Sequence, residues 1–299
     1  MHVIGVFPAA RTRQGTGEIV RMSIQELQRK SVEYRKTILK IIHHAHAGHT
    51  GGSLSCIDIL NVLYNHVMNV SPDTFSDPNH DRYVQSKGHS VEALYTVLAD
   101  KGFFPVEDLD TMEQYGSHYT GHPTRDIPGI EQNTGALGHG LSVAVGMALA
   151  AKMDGRPCRV FTLLGDGELT EGSSWEASMT AAHYKLDNLV VIIDRNKLQI
   201  TGPTETVVAL EPLADKFAAF GYAVQQCDGN DIAALVETFD RVPFEPGKPN
   251  LILANTVKGK GISFTENVVA WHHKVPTDDE LSRAMAELDR AAAEIEVIA

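Results

Sequence analysis

The chain has 299 residues, of which 43% are hydrophobic and 21% charged, and a formal net charge of −12. That composition is ordinary for a soluble α/β protein, and an acidic balance without a basic stripe excludes a general nucleic-acid binder while leaving room for local phosphate binding. Cys56, Cys158 and Cys227 are few, odd in number and widely spaced, as expected of reduced core thiols in the cytoplasm, and no apolar run approaches the ~20 residues of a membrane helix.

Residues 1–21 lack apolar periodicity and are expected to form a flexible amino-terminal extension; residues 22–299 are expected to form one domain. Ser23 is placed to cap a helix whose Glu26 completes a capping box. The pattern then predicts helices at 23–46, 54–68, 90–101, 106–115, 140–153, 171–184, 210–219, 231–242 and 277–297. Strands are expected at 159–164, 189–193, 222–226 and 250–255, the last of them preceded by the turn Pro-Phe-Glu-Pro-Gly-Lys-Pro at 243–249. The small-apolar run from Leu141 to Ala151 suits a buried, closely packed helix.

Two motifs carry the chemistry. Leu-Leu-Gly-Asp-Gly at 163–167 and Asp-Arg-Asn-Lys-Leu at 194–198 each end a short run rich in Val, Ile and Leu, the signature of strands buried on both faces of a parallel sheet. With the helix between them they form a βαβ unit. Asp166 and Asn196 then emerge side by side at the carboxyl edge of the sheet, where open α/β sheets bind ligands. A carboxylate and an amide oxygen there suit a hard divalent cation that also holds phosphate oxygens. Gly165 and Gly167 allow main chain to approach a diphosphate closely, and the following helix adds the positive end of its dipole. Gly-Asp-Gly alone is an ordinary turn; the preceding strand, the unit length and the second strand ending in Asn make it a metal-diphosphate site.

Gly-Asp-Gly-Glu-Leu-Thr-Glu-Gly-Ser-Ser-Trp-Glu-Ala at 165–177, with Asn196 downstream, resembles the thiamine-diphosphate motif of the transketolases. Further motifs of that family follow in order: Ala-Gly-His-Thr-Gly-Gly-Ser at 47–53, Ser-Lys-Gly-His at 86–89, Gly-His-Pro at 121–123 and Thr-Gly-Ala-Leu-Gly-His-Gly at 134–140. Thr-Val-Lys-Gly-Lys-Gly-Ile-Ser-Phe at 256–264 and Trp-His-His-Lys-Val-Pro at 271–276 complete the set. The resemblance spans roughly residues 22–299. It implies a three-layer αβα domain with a mostly parallel sheet, the thiamine-diphosphate-binding fold. It also implies the amino-terminal subunit of a split transketolase, whose pyrimidine-binding and carboxyl-terminal domains lie on a second polypeptide, with two copies of each chain as the expected assembly.

By the same resemblance His49, His122 and His272 face the sugar, with His272 also at the diphosphate, while His89 contacts the diphosphate. Gly135 and Leu137 hold the cofactor's rings; Asp166, Asn196 and the Leu198 carbonyl take the metal, Mg²⁺ or Ca²⁺; Gly167 lies against the diphosphate; and Glu171 matches a buried acid linking two active sites across a dimer. His273 stands where many relatives have glycine, which leaves His272 and His273 as alternatives for one position. Lys258 and Lys260 are open between solvent and phosphate. The implied reaction is transfer of a two-carbon ketol unit from a ketose phosphate to an aldose phosphate, by a chain inactive without its partner. The rival readings are a specialised enzyme for an unusual ketose, the alpha subunit of a 2-oxoacid dehydrogenase, and a binding subunit that has lost turnover.

Overall fold

The structure, a computed structural model, describes residues 21–297. The expected extension at 1–21 lies outside it except for Arg21, whose guanidinium sits 3.2 Å from Asp240. Ser23 caps helix α1 (Ile24–Ala45) with the reciprocal Glu26 bonds of a capping box. Helix α2 (Thr50–Val62) follows and widens into a single π-helical turn at Leu63–Val67. Next come strand β1 (Arg82–Gln85), helix α3 (Val91–Asp100), helix α4 (Gly140–Met153) and strand β2 (Val160–Gly165). Helix α5 (Gly172–His183) leads to strand β3 (Leu189–Arg195). A small hairpin of β4 (Leu198–Gln199) and β5 (Gly202–Pro203) precedes α6 (Thr204–Val207) and α7 (Leu213–Phe220). Strand β6 (Ala223–Asp228), α8 (Ile232–Asp240), β7 (Asn250–Asn255) and α9 (Asp278–Val297) complete the described chain.

Five strands form one sheet in the order β1-β2-β3-β7-β6, every pair parallel. Alternating side chains of the central strands feed two separate cores. Phe161, Leu163, Val190, Ile192 and Ile252 point toward α1, α2, α3, α8 and α9. Val160, Leu164, Val191, Ile193 and Leu251 point toward α4, α5 and α7. Continuous apolar runs are what a strand covered on both faces requires, so the expected three-layer αβα domain with its parallel sheet is what forms. Among the described residues no helix is long and apolar enough to cross a membrane.

Local differences from the sequence reading have physical causes. Strand β1 goes unread because Arg82-Tyr-Val-Gln is four residues long and polar at both ends, and it pairs only along one edge, with β2. The helix expected at 106–115 is a 3₁₀ turn at Val106–Thr111: Glu113 adopts φ 60 and donates its N–H to Tyr119 O, which turns the chain away. Helix α2 begins four residues before the expected 54, because Glu92 of α3 caps it from outside. Helix α4 is buried along one stripe only; Ser142, Gly146 and Ala150 are exposed. Cys56 and Cys158 are buried free thiols as expected, whereas Cys227 is half-buried on β6, the edge strand.

Candidate active site

The site grows from the carboxyl ends of β2 and β3, where Gly165 lies opposite Asp194 in the strand register. Asp166, 2% exposed, accepts from Gly167 N at 2.8 Å through one oxygen; the other accepts from Lys197 N at 2.5 Å and Arg195 Nη1 at 3.1 Å. Lys197 takes the left-handed conformation, φ 65, and so turns that N–H back toward Asp166. Asn196 Oδ1 accepts from Leu198 N at 3.1 Å. The Leu198 carbonyl accepts from Lys258 Nζ at 3.1 Å. Asp166, Asn196 and Leu198, expected as metal ligands, are thus stitched together by main-chain bonds, with the Arg195 guanidinium against Asp166 and the Lys258 ammonium against the Leu198 carbonyl.

Behind this corner lies a buried ion pair that motif reading did not single out. The Lys87 ammonium contacts Asp194 and donates to Gly52 O at 3.1 Å; Asp194 also accepts from Ser55 at 2.5 Å and from Thr256. Burial by itself would raise the Asp194 carboxyl, but the Lys87 ammonium reverses this and holds it below the ordinary carboxylate value. Glu168 was missed too. Fully enclosed, it joins three separate segments by accepting from Ser86, from Gly138 N at 2.8 Å and from Gly165 N at 3.1 Å. An acid inside the Gly-Asp-Gly-Glu motif reads as solvent-facing when its tertiary partners, 30 and 82 residues away, are unknown.

Of the two lysines left open by the sequence, Lys258 turns inward, 2% exposed, and stands 2.8 Å from His272 Nδ1, whereas Lys260 pairs with Glu266 at 3.4 Å. Burial, and then repulsion from Lys87, lower Lys258 to about 8.

Around these cations stand the histidines. The His49 ring centroid lies 5.1 Å from His89, 5.7 Å from His272, 6.4 Å from His122 and 4.5 Å from His273. All four imidazoles expected from the sequence therefore meet, and His273 joins them. His49 sits just before α2, its N–H donated to Glu92 Oε1 at 2.9 Å while Ser53 donates to Oε2 at 2.7 Å. Gly51 lets the following turn pass Trp271, since a Cβ there would lie 2.8 Å from the Trp271 carbonyl. Gly135, at φ +153, stacks its main chain against the His122 ring, and a Cβ would approach that ring to 3.1 Å. Leu137 is half-buried on the same loop. Glu171 is the residue preceding α5 and is exposed in this chain rather than buried as the resemblance implied.

Burial first, then His273, His122 and the two lysine ammoniums, lower His49 to about 4. Its neutral form is favoured in the folded chain, so the unfolded chain binds the extra proton below about pH 6.5. Relative to a His49→Gln variant, the chain's stability is expected to be constant above that pH. It should decline as pH drops toward about 4 and level off below. Urea titrations of both proteins across this range measure the difference, and a flat difference would contradict the neutral assignment.

Does this surface fit a diphosphate with a hard cation? Two lysine ammoniums supply positive charge and the His89 and His272 rings, which burial favours in their neutral form, supply ring nitrogens, and the acidic, amide and carbonyl oxygens at 166, 196 and 198 are the hard donors Mg²⁺ and Ca²⁺ accept. Thr134 Oγ1 is buried with no hydrogen-bond partner among the described residues and lies where a Gly88 Cβ would meet it at 2.8 Å. Glycines at 88 and 135 thus keep open a cradle that contains an orphaned polar atom. The residues fit.

A family model described as the thiamine diphosphate-binding domain of transketolase matches residues 28–295. The chain is 47% identical to an apulose-4-phosphate transketolase subunit of Phocaeicola vulgatus, over 92% of this chain and 98% of that protein. It is 44% identical to the 6-deoxy-6-sulfo-D-fructose transketolase subunit SqwG of Clostridium sp., over 90% and 98%. The solved transketolase of Campylobacter jejuni superposes with a TM-score of 0.82 at 31% identity, over 93% of this chain and 47% of that one. The chain spans about half the length of the solved transketolases it matches.

Proposed function

The chain belongs to the transketolase family, as its thiamine diphosphate-binding domain, and we propose that it is the amino-terminal subunit of a split transketolase moving a two-carbon ketol unit between sugar phosphates. The observation that carries this is the meeting of His49, His89, His122 and His272 beside the oxygens of Asp166, Asn196 and Leu198, at the carboxyl edge of the sheet. A 2-oxoacid dehydrogenase subunit is disfavoured, because the relatives of nearly full length are transketolase subunits.

Thiamine diphosphate, when bound, supplies the nucleophilic carbon and the electron sink for breaking and remaking the bond beside a ketose carbonyl. Asp166, Asn196 and the Leu198 carbonyl would hold Mg²⁺ or Ca²⁺, with Gly167, His89, His272 and Lys258 toward the diphosphate. Gly135 and Leu137 would bear on the cofactor's rings. His49, uncharged at neutral pH, and His122 can accept and return protons at substrate hydroxyls. Glu171 would be covered by a second protomer, which fits two copies of each subunit in a closed two-fold assembly. Three free thiols suit a reducing cytoplasm.

The relatives' names favour a specialised sugar: one is named for apulose 4-phosphate and the other for 6-deoxy-6-sulfo-D-fructose. The test is ketol transfer by this chain alone and then mixed with the product of the adjacent gene, with thiamine diphosphate and Mg²⁺. Donors are xylulose 5-phosphate, apulose 4-phosphate and 6-deoxy-6-sulfofructose, with ribose 5-phosphate or glyceraldehyde 3-phosphate as acceptor. Activity only in the mixture is expected, and the preferred donor separates the general from the specialised enzyme. Activity of the chain by itself would overturn the split reading.

A further inference from the structure

His273 is an imidazole with a fixed position and no internal task. The backbone on either side of it is anchored. Trp271 is buried and Thr50 Oγ1 donates to Lys274 O at 2.7 Å, while the Lys274 ammonium is held by Glu280 at 2.5 Å and by the Trp271 ring face at 4.2 Å. On the other side, His272 Nδ1 is held by Lys258. Between these anchors the His273 side chain is exposed, and its ring makes no hydrogen bond to any described residue. Yet it lies edge-on to His49, 4.5 Å between centroids at an interplanar angle of 73°, nearer than any of the other three rings of the cluster.

The cluster has a direction. His89 and His272 stack at 5.5 Å on the side of Lys258 and the Leu198 carbonyl, the side read above as the diphosphate end. His273 packs edge-on against His49 and is exposed to solvent. An exposed ring whose described packing is edge-on to His49, and whose nitrogens bond no described residue, has those nitrogens open to a ligand.

We propose that His273 is a specificity residue that hydrogen-bonds a hydroxyl of the ketose beside the one facing His49, and so helps to select which ketose the enzyme accepts. The inference rests on the transketolase reading above. It assigns the two adjacent histidines different tasks, His272 toward the cofactor and His273 toward the sugar. A bond made alike in the ground and transition states alters KM rather than kcat, and one neutral hydrogen bond corresponds to roughly tenfold in affinity.

The experiment compares the assembled two-chain enzyme with its His273→Gly and His273→Gln variants over a panel of ketose donors and their monodeoxy analogues. For His273→Gly, KM for the best donor should rise about tenfold with kcat within about twofold, and the preference for the donor over one deoxy analogue should collapse. His273→Gln, whose amide both donates and accepts, should recover part of that preference. Thiamine diphosphate affinity and melting temperature should be unchanged in both, since the ring is exposed and hydrogen-bonds no described residue. Wild-type KM and wild-type selectivity in His273→Gly would overturn the proposal while leaving the transketolase reading intact. So would a loss of cofactor affinity that accounts for the change in rate. A wild-type complex that transfers no ketol from any donor would instead remove the reading on which the proposal stands.

Discussion

Replacing Asp166 with Ala, or with the near-isosteric Asn, is expected to lower ketol transfer by the assembled enzyme at least about a thousandfold, roughly 4 kcal/mol of transition-state free energy. Asp166 is the only carboxylate among the three oxygens gathered at the ends of β2 and β3, so it alone supplies negative charge to a divalent ion there. Burial, reinforced by nearby Asp194, raises its carboxyl above the ordinary value, and a bound cation would relieve that cost. The fold should tolerate the change. Arg195 loses one partner but keeps Glu205 and Glu211, each at 2.8 Å, and Thr204 at 2.8 Å. Calorimetric titration of Asp166→Asn with thiamine diphosphate and Mg²⁺ should therefore show lost binding on a folded chain. Unaltered binding would remove Asp166 from the metal site.

Lys87→Met is expected to destabilise the fold strongly, by about 3–5 kcal/mol. Lys87 and Asp194 are 1% and 0% exposed, and the carboxylate's other donors, Ser55 at 2.5 Å, Thr256 and Asn196 at 3.3 Å, are neutral. Removing the ammonium leaves a buried charge without compensation, and the group relieves this by binding a proton. In the variant the Asp194 carboxyl should move above its unfolded value. The destabilisation should accordingly be largest at neutral pH and shrink as pH falls through the raised value. Urea titrations at neutral and mildly acid pH measure both effects. Adding Asp194→Asn, which removes the stranded charge, should recover much of the loss, and a strictly additive double variant would show that the pair is not coupled. Since Asp194 also accepts from Asn196 and Lys87 donates to Gly52 O beside the histidine cluster, cofactor affinity should weaken along with stability.

Most of the architecture was legible in the sequence because its signals are local. Continuous apolar strands, the Ser23 capping box and the span of Gly140–Met153 follow from residue order. The parallel βαβ unit that brings Asp166 beside Asn196 follows from two strands and the helix between them. The histidines His49, His89, His122 and His272 could be nominated from their motifs. Their convergence was implied by the family resemblance alone; residue order could not give it or its distances, because it depends on α2, the β1–α3 turn, the Gly121–Pro123 loop and the segment before α9 converging across more than 220 residues of chain.

What only the tertiary structure decided is the pairing of buried charge. Lys87, Glu92, Glu168 and Lys258 carry side chains that solvent favours by several kcal/mol over an apolar interior, so sequence alone gives no ground for burying the first three and leaves Lys258 open between solvent and phosphate. Each is buried here because a partner distant in sequence meets it: Asp194, the His49 amide with the Ser53 hydroxyl, the Ser86 hydroxyl with two main-chain amides, and the Leu198 carbonyl with His272. Hydrophobic periodicity records which face of an element is covered. It carries no information about which polar group waits on the other side, and at the carboxyl edge of this sheet those polar groups are the site.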